Sequence, residues 1–204
     1  MKRVLLIFAV LLIAVGVYWF FIKEKPKAHA EEAKAAPLVA RKHSAGFNNS
    51  MDSLLSAYFS MKDAFVNADS TSAKAASSKL AILADSGSLS ELKTDAPGIY
   101  ESALMQLNDV KASAESLVKQ TNLTEMRQDF NMIGENIYPL LKTIHYDGKI
   151  LYWQNCPMAF GEDKGANWIS NTAEIINPYL GKNHPEFKST MLHCGEVKDS
   201  IKAK

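Results

Sequence analysis

The stretch MDSLLSAYFSMKDAF, residues 51–65, carries the clearest structural signal in this chain. Its large apolar side chains recur at intervals of three and four residues, which is typical of the buried face of an amphipathic helix. Similar spacing returns over residues 73–83, 100–118 and 126–144. Short links between four such segments predict an all-α domain, an antiparallel bundle of about four helices.

The chain after residue 148 has a different composition. Residues 149–154, KILYWQ, fit a short strand or an extended segment, and the residues that follow are rich in Pro, Gly, Asn and aromatic side chains. The large rings provide apolar surface that can pack against the helices. We therefore expect an irregular layer over residues 149–197, within one extracytoplasmic helical domain that spans residues 47–204.

The N-terminus predicts export from the cytoplasm. Residues 4–22 carry no charge, and about 20 apolar residues suffice for a helix to cross a bilayer. Residues 1–22 are therefore interpreted as a transmembrane anchor or a signal segment, and Ala28-His29-Ala30 leaves cleavage after Ala30 open. Residues 23–46, rich in Lys, Ala and Glu, are typical of a tether. We expect a membrane-anchored, periplasmic protein.

The charge balance and the motifs disfavour two classes of function. The chain has 23 basic and 22 acidic residues, a net charge of +1, and no basic stripe, so we expect no nucleic-acid partner. It also lacks the Gly-x-Ser-x-Gly, His-Glu-x-x-His and phosphate-loop motifs. We therefore expect a protein that is not an enzyme.

The two cysteines of the chain each have a methionine within three residues. Cys156 precedes Met158 by two positions, and the proline between them favours an extended backbone that turns both sulfurs to one side. Met191 and Cys194 are three apart, so they would share one face of a helix. Thiolate and thioether sulfurs together suit a soft cation such as Cu(I), and His193 could add an imidazole nitrogen.

Other chemistry at the cysteines stays open. Two cysteines in an exported domain also form disulfides, and a Cys156–Cys194 bond would stabilise the layer by about 3–4 kcal/mol. Unpaired thiols, or a pair that is a disulfide when oxidised and a metal site when reduced, are further alternatives. Zinc is the lesser metal candidate, because it would need His193 and either His145 or His184 as additional ligands. A nucleophilic Cys156 would need a histidine partner, for which His193 is the candidate.

Four blocks in the last fifty residues resemble the bacterial domain-of-unknown-function 3347 family. They are QNCPMA at 154–159, GANWIS at 165–170, INPYLG at 176–181 and MLHCG at 191–195. The helical region before them is similar to the family's preceding bundle by its pattern. The family often accompanies the adaptor subunits of heavy-metal efflux systems. The resemblance implies an exported domain that handles copper or a related metal, with Cys156, Met158, Met191 and Cys194 at the family's sulfur positions.

These observations predict a membrane-tethered extracytoplasmic protein that binds Cu(I) in heavy-metal homeostasis or efflux. Its expected partner is a metal efflux adaptor or another envelope protein. Trp153, Trp168 and Tyr179 are expected to shape the metal site and shield it from water. The alternative is a structural or interaction module of the cell envelope that binds no metal and is stapled by a Cys156–Cys194 disulfide.

Overall fold

Four helices form the larger part of the structure, a computed structural model that describes Tyr18 and residues 42–85, 89–95 and 97–202. They are α1 (Ala45–Val66), α2 (Ser70–Asp85), α3 (Ile99–Lys119) and α4 (Leu123–Thr143), and a short 3-10 helix, Ser90–Thr94, precedes α3. Each α-helix packs against the next one along the chain. The four predicted helical segments are therefore confirmed.

In α1 and α4 the side chains that predicted the helix are the ones that the structure buries. In α1 they are Met51, Leu54, Leu55, Tyr58, Met61 and Phe65. In α4 they are Met126, Phe130, Ile133, Ile137, Leu140 and Leu141. Apolar side chains at this spacing leave water together when a helix docks, so their burial stabilises helix and core at once.

Polar side chains cap two of these helices at their N-termini. Ser44 Oγ accepts a hydrogen bond from the backbone N–H of Phe47 at 3.2 Å. Asn122 Oδ1 accepts one from the backbone N–H of Glu125 at 2.9 Å. Each cap satisfies an N–H group that has no partner within its helix, which places the helix start at these positions.

The folded domain begins before the predicted boundary at residue 47. The ring of His43 is buried, with Nε2 2.5 Å from the carbonyl oxygen of Ile144 and Nδ1 3.1 Å from Glu91 Oε1. Residues 43–46, which the sequence assigned to the tether, therefore belong to the domain. The partners of His43 lie 48 and 101 positions away along the chain, so no local pattern reveals them.

The prediction of an all-α fold is wrong for the C-terminal layer, which contains a three-stranded antiparallel sheet. Its strands are β1 (Leu151–Cys156), β2 (Ala166–Ser170) and β3 (Glu196–Ile201), in the order β2-β1-β3. Strands of five or six residues are too short for a clear period-two pattern, and β3 is largely exposed and polar. Only the extended segment near residue 151 was recognisable from the sequence.

Side chains from the rest of the domain cover the free edge of β2. The backbone N–H of Asn167 donates to Asn131 Oδ1 on α4 at 3.1 Å, and the N–H of Ile169 donates to the Tyr58 hydroxyl on α1 at 3.1 Å. The Tyr179 hydroxyl donates to the carbonyl oxygen of Asn167. The edge strand thus has side-chain partners in place of another strand, and these bonds fix the sheet to the helices.

The predicted membrane segment and most of the tether lie outside the described residues. Of residues 1–22 only Tyr18 is described, and of residues 23–46 the part from 42 onward. Within the described ranges, no helix combines the length and the apolar character that a membrane crossing requires.

Candidate functional site

The fold brings the two cysteines together from positions 38 residues apart. Their Sγ atoms lie 2.9 Å from each other, and both cysteines are free. Cys156 is the last residue of β1, is fully buried, and pairs with Ala166 of β2. Cys194 lies in the turn before β3 and is partly exposed. A reagent or an ion from solvent would therefore reach the pair from the side of Cys194.

A buried asparagine holds the turn that carries Cys194. Asn177 Nδ2 donates to the Cys194 carbonyl oxygen at 2.8 Å, and the Asn177 backbone N–H donates to the Leu192 carbonyl oxygen at 2.8 Å. Asn177 Oδ1 accepts from the backbone N–H groups of Tyr179 and Leu180 at 2.8 and 3.0 Å. This side chain was not predicted as a site residue. An Asn before Pro, as in the block INPYLG, indicates such an Asx turn.

Two of the three predicted site-shaping aromatic residues lie beside the cysteines. Tyr179 and Trp168 are fully buried, with ring centroids 6.0 Å apart in an edge-to-face arrangement. Trp168 lies against Gly195, next to Cys194. Trp153 instead stacks on Tyr138 of α4, with centroids 4.4 Å apart. Trp153 therefore helps to join β1 to α4.

Burial favours the protonated, neutral forms of Cys194 and Tyr179. Burial, together with the adjacent Cys156 thiol, raises the pKa of the Cys194 thiol. Burial also raises the pKa of Tyr179 well above its ordinary value. At neutral pH Cys194 therefore carries its proton, and a metal ion could bind it only by displacing that proton.

The two methionines do not have the local backbone assumed from the sequence. β1 ends at Cys156, and Met158 lies in a turn closed by a hydrogen bond from the Gly161 N–H to the Met158 carbonyl oxygen at 3.2 Å. Met191 is also in a turn rather than a helix, because the Cys194 N–H donates to the Met191 carbonyl oxygen at 3.0 Å. Both methionines are partly buried against the core, and Met158 lines a separate cavity described below.

The histidines that the sequence offered as ligands have other partners or are exposed. His193 is exposed, with Nδ1 2.8 Å from the Ile175 carbonyl oxygen. His184 Nδ1 accepts from the backbone N–H groups of Glu186 and Phe187 at 3.3 and 3.2 Å. His145 is exposed just after α4. Among the described residues, no group of three or more His, Cys, Asp and Glu side chains is placed to hold a metal ion.

A buried charge on α4 was not predicted from the sequence. Arg127 follows Met126 on the buried side of α4 and is only 6 % exposed. Its Nε and Nη2 atoms donate to the carbonyl oxygens of Pro178 and Phe65, each at 3.2 Å. In the sequence, Arg127 lies between apolar positions of an amphipathic helix. This position does not predict burial, because arginine side chains are usually solvated.

Comparison with known proteins finds a similarity in the helical part of the chain. Residues 54–149 match the model of a family described as "Protein of unknown function (DUF3347)". The match begins within α1 and ends just before β1, so the four sequence blocks of the C-terminal layer lie outside it. No curated protein and no solved structure matches the chain significantly. The match itself names no metal, substrate or partner.

Proposed function

Residues 54–149 match the DUF3347 family model, and we propose that the protein is a membrane-tethered, extracytoplasmic binding protein for a soft metal ion, Cu(I). It would capture or hand over this ion in heavy-metal homeostasis or efflux, without catalysing a reaction. The observation that carries the proposal is the pair of free cysteines whose sulfurs lie 2.9 Å apart at the end of the central strand, β1.

The chemistry of the pair favours a soft ion. Thiolates select Cu(I), and nearby thioethers add ligands of the same kind. Two thiolates that share one tetrahedral ion at Zn–S bond lengths lie about 3.5–4 Å apart, so metal binding would widen the 2.9 Å separation by about 0.6–1.1 Å. The turn that carries Cys194 is the part that would move, because Cys156 is fixed within β1.

The thioethers are the second part of the metal proposal. Met158 and Met191 both lie on turns next to the cysteines, where a change of side-chain rotamer can redirect a flexible thioether. His193 could join them only by giving up its contact with the Ile175 carbonyl oxygen. We therefore rank the cysteines as the primary ligands, the methionines as supporting ligands and His193 as optional.

The proposal also includes where the domain lies and which partner receives the ion. The four helices would form an antiparallel bundle that stands outside the membrane on the tether of residues 23–46. A metal efflux adaptor, or another envelope protein, would receive the ion from the side of Cys194, which is the partly exposed member of the pair. The N-terminal segment, 1–22, would hold the domain at the membrane.

A second candidate function rests on the same distance. A disulfide needs a separation of about 2.05 Å, which the two sulfurs reach by closing somewhat less than 1 Å. The bond would join β1 to the turn before β3 and stabilise the fold by about 3–4 kcal/mol on the chain-entropy model. In that case the domain is a structural or interaction module of the cell envelope, and its helical surface binds the partner.

Native mass spectrometry of the full chain separates the two functions. The protein is purified without reductant, weighed, then reduced and mixed with one equivalent of Cu(I). We expect one copper per chain after reduction, lost in Cys156→Ser and in Cys194→Ser. Met158→Leu and Met191→Leu should weaken retention of the ion, whereas Met132→Leu, at an exposed position on α4, should not.

The same measurement can contradict the metal proposal. A protein that is two hydrogens lighter as isolated, and that takes up no copper once reduced, establishes the disulfide module instead. Copper uptake that persists in both serine variants would place the metal elsewhere and also overturn the assignment of ligands.

A further inference from the structure

A cavity of about 420 Å³ lies at the N-terminal end of α4, apart from the paired thiols. We call it the Arg127 cavity. It is bounded by α4, by the turn after β1 and by the segment that follows Tyr179. Its lining consists of Thr124, Arg127, Met158, Ala159, Phe160, Gly161, Glu162, Tyr179, Leu180, His184, Glu186 and Phe187.

Arg127, the most buried charged side chain that lines this cavity, has no counter-ion among the described residues. The guanidinium of Arg127 bonds only to two backbone carbonyl oxygens, and no carboxylate within the described ranges forms an ion pair with it. Burial lowers the pKa of Arg127 to about 10, which leaves it charged at neutral pH. A buried cation without an anion is costly, so an anion bound in the cavity would offset its desolvation.

His184 also lines this cavity and can supply a second hydrogen-bond donor. Because His184 Nδ1 accepts from the N–H groups of Glu186 and Phe187, the neutral ring carries its proton on Nε2. Burial and the charge of Arg127 lower the pKa of His184, which favours this neutral form. The lone pair that a metal ion would need is therefore engaged, and the nearby guanidinium disfavours a cation.

The residues that line the Arg127 cavity and surround its opening restrict which class of anion can bind. Much of the lining is apolar or aromatic, from Met158, Phe160, Leu180, Tyr179 and Phe187. The carboxylates of Glu162 and Glu186 also line the cavity, and both residues are exposed, so they form a negative rim. This rim repels a multiply charged anion more strongly than a monocarboxylate. A monocarboxylate with an apolar body can reach Arg127 and pack its apolar part against the walls of the cavity.

We propose that the Arg127 cavity binds a small monocarboxylate with an aromatic or branched apolar body. Its carboxylate contacts the guanidinium of Arg127 and the Nε2–H of His184, and its apolar part packs against the aromatic walls. Neither cysteine lines the cavity, although Met158 and Tyr179 lie between the cavity and the cysteine pair and line it.

Isothermal titration calorimetry of the full chain tests this proposal with three probes: benzoate, phenylacetate and isovalerate. We expect at least one of them to bind, and its uncharged amide to bind at least about tenfold more weakly, since charged hydrogen bonds contribute the difference. Arg127→Met should weaken the carboxylate by about 10- to 100-fold and leave the amide nearly unchanged. Inorganic phosphate should bind more weakly than the carboxylate.

A second variant keeps the test decisive if Arg127→Met does not fold. Glu162→Gln combined with Glu186→Gln changes only exposed side chains and should raise carboxylate affinity about two- to fivefold, with the amide unaffected. The proposal is overturned if none of the three carboxylates binds at concentrations on the order of 10 mM. Equal affinity for acid and amide, stronger binding of phosphate, or a double variant without effect also overturns it.

Discussion

At the scale of single residues, Asn177 determines where Cys194 lies. Its side chain satisfies the backbone N–H groups of Tyr179 and Leu180 and donates to the Cys194 carbonyl oxygen, all without exposure to solvent. We expect Asn177→Ala to lower the free energy of unfolding by about 3 kcal/mol, because it leaves several buried polar groups without partners.

Urea denaturation measures this effect, and Asn183→Ala is the matched control. Asn183 is exposed and makes one hydrogen bond, from Nδ2 to the Asn67 carbonyl oxygen at 3.1 Å. Its replacement should cost about 0.5 kcal/mol or less. Equal losses for the two variants would contradict the role given to Asn177.

Gly195 is the second residue on which the cysteine pair depends. Its φ of +141° disfavours any side chain, and a Cβ there would lie 2.6 Å from the Asn155 carbonyl oxygen and 2.9 Å from Trp168 Cη2. Gly195→Ala should therefore displace the turn that carries Cys194, destabilise the fold by more than about 2 kcal/mol and slow oxidation of the thiol pair.

Gly98→Ala separates steric conflict from backbone strain. Gly98 also has a positive φ, +88°, but nothing lies within 4 Å of the added Cβ. Gly98→Ala should therefore lower the free energy of unfolding only by the backbone strain, about 1–2 kcal/mol, and leave thiol oxidation unchanged. Thermal unfolding and the rate of thiol loss are the two readouts. An unchanged oxidation rate in Gly195→Ala would show that Gly195 does not position Cys194.

At the scale of elements, the contact between the sheet and the helices depends on the edge of β2. The Tyr58 hydroxyl on α1 accepts the backbone N–H of Ile169, and both residues are fully buried. Tyr58→Phe would leave that N–H without a partner and should lower the free energy of unfolding by about 1–3 kcal/mol. Among the backbone amides, the N–H of Ile169 should show the largest increase in hydrogen-exchange rate.

Tyr100→Phe serves as the control for the edge of β2. Tyr100 is half-buried near the start of α3, and its hydroxyl forms no hydrogen bond with any described residue. The loss of stability in that variant should stay within about 0.5 kcal/mol. If Tyr58→Phe left exchange at Ile169 unchanged, the helix would not be the partner that covers this edge.

At the scale of the whole molecule, two acidic residues connect distant parts of the chain. Hydrogen bonds from Ser44, at the start of α1, and from His43 lower the pKa of Glu91 to about 2. The ammonium group of Lys142 on α4, 2.8 Å away, is the main cause that lowers the pKa of Asp199 on β3 to about 2. Each carboxylate is thus stabilised in its charged form by the fold.

This arrangement predicts acid destabilisation. A carboxyl group whose pKa is lower in the folded state contributes stability above its unfolded pKa, near 4 for both groups, and this stability is lost as pH falls toward 2. Melting temperatures measured from pH 7 to pH 2 should be level down to about pH 5 and then fall. Glu91→Gln should be less stable at pH 7 and show a shallower fall. An unchanged slope in that variant would exclude Glu91 as a source of the pH dependence.

The helices could be predicted because their information is local. The spacing of Met51, Leu54, Tyr58, Met61 and Phe65 within one stretch specifies both a helix and its buried face. The capping side chain of Asn122 is likewise next to the helix that it starts. The strands were only partly predictable, because their pairing joins residues far apart and five- or six-residue strands carry little periodic signal.

The sequence by itself determined the four helices, the change of composition after residue 148 and the two cysteines as the residues to follow. The tertiary structure decided that Cys156 and Cys194 meet, that Met158 lines the Arg127 cavity, and that Arg127 is a buried charge. The physical reason is range: helical periodicity and caps act over a few residues, whereas a thiol pair or a buried cation depends on contacts between segments that only the folded chain brings together.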